Sequence, residues 1–79
     1  MKTWLKKLIE SKNHTIHFLG DNKDTFYALY RLVESFADAT ETEYSGDYMV
    51  TTYQFKTGEI VKVWFNDNYG VFTKMEYVA

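Results

Sequence analysis

Residues 48–78, YMVTTYQFKTGEIVKVWFNDNYGVFTKMEYV, decide the fold. Three runs rich in β-branched and aromatic residues, Tyr48 to Lys56, Glu59 to Asn66 and Val71 to Val78, are separated by two short links. Parallel neighbours need a crossover of roughly a dozen residues or more, so links this short imply antiparallel hairpins and a meander. Lys56-Thr57-Gly58-Glu59 reads as a tight turn in which Gly58 supplies positive φ. Asn66-Asp67-Asn68-Tyr69-Gly70 reads as the second turn.

Side chains alternate across a strand, so the runs predict two faces. One holds Met49, Thr51, Tyr53, Phe55, Val61, Val63, Phe65, Val71, Thr73, Met75 and Tyr77 and is the better core. The other mixes Tyr48, Val50, Ile60, Trp64 and Phe72 with Thr52, Gln54, Lys62, Lys74 and Glu76. A solvated face should be mostly polar, and this one is not.

Upstream of the meander, Phe26, Leu29, Tyr30, Val33, Phe36 and Ala37 recur at helical spacing, with Tyr27, Arg31, Glu34 and Asp38 opposite. The pattern predicts a helix from Asp24 or Thr25 to about Ala39, with Asp24 as N-cap. Before it, His14 to Leu19 reads as a strand with Ile16 and Phe18 on one side, ended by Gly20-Asp21-Asn22. Met1 to about Lys12 reads as a short helix whose apolar arc is Trp4, Leu5, Leu8 and Ile9. The expectation is one α+β domain over residues 1–79 in the order α-β-α-β-β-β. Its sheet would be mostly antiparallel and four-stranded, with the long helix packed on one face. Helix 1 either covers the second sheet face or joins the long helix on the first. In the latter case the aromatic face stays open, as a protein interface or a stacking platform does.

The composition fits one small domain with a rich core: 79 residues, 46% hydrophobic and 19% aromatic. There is no cysteine, which excludes a disulfide scaffold, thiolate catalysis and cysteine metal sites, and a cytoplasmic location is expected. Lys6, Lys7, Glu10 and Lys12 interrupt any signal-like apolar run, and no stretch approaches a membrane span. The Asn13-His14-Thr15 glycosylation pattern then lacks a context.

Candidate chemistry is sparse. His14 and His17 fall on opposite faces of a strand, so they cannot share a metal. Asp21, Asn22 and Asp24 lack the glycine and the terminal glutamate of a calcium loop. Ser11, Ser35 and Ser45 sit in no nucleophile motif, and the four glycines form no phosphate loop. The expectation is therefore a non-enzyme with no cofactor and no metal.

Charge is more informative. Residues 20–50 hold Asp21, Asp24, Glu34, Asp38, Glu41, Glu43 and Asp47 against only Lys23 and Arg31. On a helix to Ala39, Glu34 and Asp38 repel at i,i+4, and Asp38, Glu41 and Glu43 gather at the end whose dipole favours cations. Broken local rules mark functional surfaces, and the bland competitor is a solvated face that aids solubility. The strip Glu34, Asp38, Glu41, Glu43 and Asp47, with Tyr44 and Tyr48, is the expected partner-binding surface. Its partner would be a host or cognate protein with a basic surface, including one that normally holds nucleic-acid phosphates. Size, absent cysteine, many aromatics and an acidic patch together resemble small phage or mobile-element proteins that block a host complex by surface contact. That likeness implies an inhibitor or regulator.

The alternative is a single-stranded nucleic-acid binder in which Lys62, Trp64, Phe72 and Lys74 form a stacking face. An acidic chain of pI near 5.6 weighs against it. An uncovered face or an unpaired edge would also permit a homodimer.

Overall fold

The computed structural model describes residues 1–11 and 14–78. Lys12 and Asn13, the expected end of the first helix and the head of the glycosylation pattern, lie outside the described residues. The elements are α1 (Thr3–Glu10), β1 (Thr15–His17), α2 (Lys23–Phe36), β2 (Ala39–Ser45), β3 (Tyr48–Gln54), β4 (Ile60–Asn66) and β5 (Val71–Tyr77). The α+β class and the antiparallel meander hold. The sheet has five strands rather than four, in the order β1-β5-β4-β3-β2, and every pair is antiparallel.

The additional strand is β2, which lies between the end predicted for the long helix, about Ala39, and the first predicted meander strand at Tyr48. Helix α2 stops at Phe36, because Ala37 turns extended (φ −66°, ψ 141°). The Asp38 N–H then donates to the Gln54 carbonyl, and the Asp38 carboxylate accepts the Lys56 N–H at 2.7 Å. These two bonds steer the chain onto the sheet edge. Gly46, at φ 62°, lets a two-residue turn join Ser45 to its partner Tyr48.

At its start, α2 begins one residue earlier than expected, and Asn22 rather than Asp24 occupies the cap position. The Asn22 carboxamide accepts the Leu19 N–H at 2.8 Å and donates to the His17 carbonyl at 2.7 Å. This clamp sets the angle at which the chain leaves β1. Asp24 lies in the first turn, where its charge still suits the dipole.

Both helices lie on one face of the sheet. Leu5 and Ile9 of α1 and Phe26, Leu29 and Val33 of α2 join Ile16, Tyr53, Phe55, Val61, Val63 and Met75 in one buried cluster. Each such aliphatic or aromatic side chain contributes about 1.5–3 kcal/mol when fully buried. Trp4 remains 52% exposed and meets Phe36 of α2 edge-on, with ring centroids 6.3 Å apart.

Strict alternation fails at one place. Trp64 pairs with Lys74, yet Phe65 pairs with Phe72, so Thr73 is an extra residue in a β-bulge. Phe72 therefore turns to the helix side, with ring centroids 4.9 Å from Tyr30, 5.1 Å from Phe65 and 5.6 Å from Phe26. Val71 is displaced the other way and is exposed.

Candidate binding surface

The helix-free face is built from cross-strand rows. One row runs Glu41, Thr52, Lys62, Glu76, Thr15 and the next runs Glu43, Val50, Trp64, Lys74, His17, each crossing all five strands. Tyr48 sits beyond Val50 on β3, and Ile60 beyond Lys62 on β4. No residue of either row, nor Tyr48 or Ile60, is buried. Four side chains with apolar bodies, exposed Tyr48 and half-buried Val50, Ile60 and Trp64, thus lie on a face without a covering helix.

The face is electrically divided. Glu41 and Glu43 stand at the β2 edge, and among the described residues neither has a cation at ion-pair distance. The other half carries Lys62 and Lys74. Lys74 is engaged within the face: its ammonium lies 4.3 Å from the centroid of the Trp64 ring and 3.7 Å from a Glu76 carboxylate oxygen.

The seven residues of the expected acidic strip do not form one surface. Glu41, Glu43 and Tyr48 share the helix-free face. Tyr44, paired with Met49, belongs to the opposite side of β2 and is 73% exposed. Glu34 is on α2 near the phenols of Tyr30 and Tyr53, above the covered face. Burial first, then the Tyr53 hydroxyl and the Glu34 carboxylate, push the Tyr30 phenol well above its ordinary range. Asp38 is committed to the Lys56 amide, and Asp47 lies in the β2–β3 turn, where its carbonyl accepts the Asp67 N–H at 2.8 Å. Glu41 and Glu43 escape the expected helix-end penalty because they sit on β2, whereas Asp38 directly follows the C-cap Ala37 and its carboxylate is held by the Lys56 N–H.

Of the stacking set, Lys62, Trp64 and Lys74 share the helix-free face, while the bulge removes Phe72 to the core. Val50, cross-strand neighbour of Glu43 and Trp64, belongs to the patch, and alternation alone predicts it on this face. Among the described residues no group of His, Asp and Glu is arranged to hold a metal, and no helix is long and apolar enough to cross a membrane.

No protein-family model, curated protein or solved structure matches this chain.

Proposed function

We propose that this chain is a non-catalytic protein-binding module, an inhibitor or regulator that works through the helix-free face of its sheet. One observation carries the reading: both helices pack on the same side, so no helix covers exposed Tyr48 and half-buried Val50 and Trp64 beside Glu41 and Glu43. Aromatic anchors ringed by charge are the usual make-up of a protein interface. The two unpaired glutamates suit a partner with a basic surface, and such complementarity chiefly speeds encounter and selects the partner.

Affinity capture with variants of the full chain tests it. Trp64→Ala and the pair Glu41→Lys, Glu43→Lys should lose a protein that the parent retains. Glu34→Lys, on the helix side, should keep it. An unchanged set of retained proteins across all the variants rejects the reading.

Single-strand binding is the competing reading, favoured by Lys62 and Trp64 lying side by side. Three carboxylates on the same face, a lysine already over the indole and the loss of Phe72 all weaken it. Salt-sensitive binding of an oligonucleotide at micromolar protein, followed by fluorescence anisotropy, would favour it instead.

A further inference from the structure

Strand β2 has β3 on one side and, among the described residues, no strand on the other. Its seven residues pair with β3 in unbroken register and all are exposed. Among the described residues, no hydrogen bond outside the β2–β3 ladder engages the backbone of residues 39–45. Alternate N–H and C=O groups along this edge therefore face outward, as a template for another strand. Proteins usually block such an edge with proline, lysine or a bulge, and β2 has none of the three. Its only charges are Glu41 and Glu43, both on the helix-free face.

Those charges discriminate between occupants. Antiparallel self-pairing with full overlap is centred on Thr42 and sets Glu41 opposite Glu43 of the second copy, twice. Like charges directly opposite destabilise a ladder, so the edge rejects its own kind. A segment with lysine or arginine at alternating positions reverses both terms. Its other side chains would lie beside Thr40, Thr42 and the exposed ring of Tyr44.

We infer that the β2 edge accepts a basic, extended peptide segment by antiparallel strand addition, with alternate cations on Glu41 and Glu43. Main-chain bonds would supply affinity and the alternating cations specificity. This presupposes the protein-binding role proposed above and names how the partner is held.

The test is titration of the isotope-labelled full chain with a synthetic peptide as long as β2 in which lysine alternates with valine, followed by amide shifts. Shifts should concentrate in residues 39–45. Replacing two attractive cross-strand pairs with two repulsive ones, in Glu41→Lys, Glu43→Lys, should weaken binding about tenfold. The same peptide N-methylated along the pairing edge should not bind. Equal binding of the methylated peptide would mean charge docking without pairing, and equal binding of a glutamate–valine peptide would mean no charge selection. Either result, no shift with any peptide, or a parent chain that dimerises through 39–45 overturns the inference. If the peptide fails while Trp64→Ala still releases the captured protein, strand addition alone falls. If neither has an effect, the binding role falls with it.

Discussion

The bulge at Thr73 makes a sharp claim about two adjacent residues. Phe72 sits among five rings, with centroids of Phe18, Phe26, Tyr27, Tyr30 and Phe65 between 4.9 and 6.4 Å away. Truncating a core phenylalanine to alanine costs about 3–5 kcal/mol. Phe72 is half-buried, so about 2–4 kcal/mol is expected for Phe72→Ala. Val71→Ala removes two carbons, each worth about 0.8 kcal/mol if buried. With Val71 47% exposed, that change should cost less than about 1 kcal/mol. A domain of 79 residues has about 4–12 kcal/mol to lose, so the first variant is severe and the second mild.

Deleting Thr73 sharpens the contrast. A one-residue deletion in a regular strand flips everything on one side of it to the wrong face. Here the deletion would leave Trp64 opposite Lys74 and Phe65 opposite Phe72, now as a regular ladder, with Phe72 and Met75 both still facing the helices. The main loss is the bond from the Phe18 N–H to the Thr73 carbonyl, about 1 kcal/mol. Urea unfolding followed by far-ultraviolet circular dichroism gives all three values from midpoints at constant slope. A Val71→Ala penalty equal to or above that of Phe72→Ala, or a Thr73 deletion as damaging as Phe72→Ala, would refute the bulge.

Three other outcomes follow from single contacts. Asp38→Ala removes the acceptor for the Lys56 N–H and should cost about 1 kcal/mol in the same unfolding assay, whereas Glu41→Ala on the exposed edge should change the midpoint little; equal effects would contradict the assigned role of Asp38. Gly58 (φ 100°) and Gly46 (φ 62°) both have open space where a Cβ would stand, so only the backbone decides: asparagine, which tolerates the left-handed region near 60°, should be nearly neutral at Gly46 and cost about 1 kcal/mol at Gly58, and reversed midpoints would refute the turn assignments. The buried Glu59 carboxylate is hydrogen-bonded by the Met1 amino group and then by Thr57, which hold it below the ordinary carboxylate range. A depressed native value means the stabilisation is complete above the unfolded value of about 4.3 and is lost as pH falls through the native one. The midpoint gap between the parent and Glu59→Gln should therefore close on acidification from pH 6 to pH 3, and a constant gap would disprove the coupling.

What was legible in the sequence is what hydrophobic period alone can carry. The α2 stripe of Phe26, Leu29 and Val33, the inward set Tyr53, Val61, Val63 and Met75, and positive φ at Gly58 all follow from spacing and residue type. Strand β2 was hidden because it buries nothing. ATETEYS is exposed at every position, so it has no apolar face to alternate with, and the helical pattern of residues 26–37 ran into it without a proline or glycine stop. The available signals were the alternation of Thr40, Thr42 and Tyr44 and the Gly46-Asp47 pair before another strand. The bulge was invisible for a different reason. Alternation before and after it is regular, and only pairing with β4 reveals that Thr73 is surplus.

Both omissions bear on the binding surface, and in the same direction. A helix running to about Ala39 makes Asp38, Glu41 and Glu43, gathered at its C-terminal end, an electrostatic fault that calls for a compensating ligand. On an edge strand Glu41 and Glu43 are the only guard against self-pairing, and they need no ligand to justify them. The case for a partner therefore moves from misplaced charge to a sheet face that no helix covers, with Tyr48 exposed and Val50 and Trp64 half-buried, next to a seven-residue edge whose two carboxylates oppose self-pairing and not a basic strand. Under the proposed function, charge would select the partner, and the face and the free backbone would supply the contact.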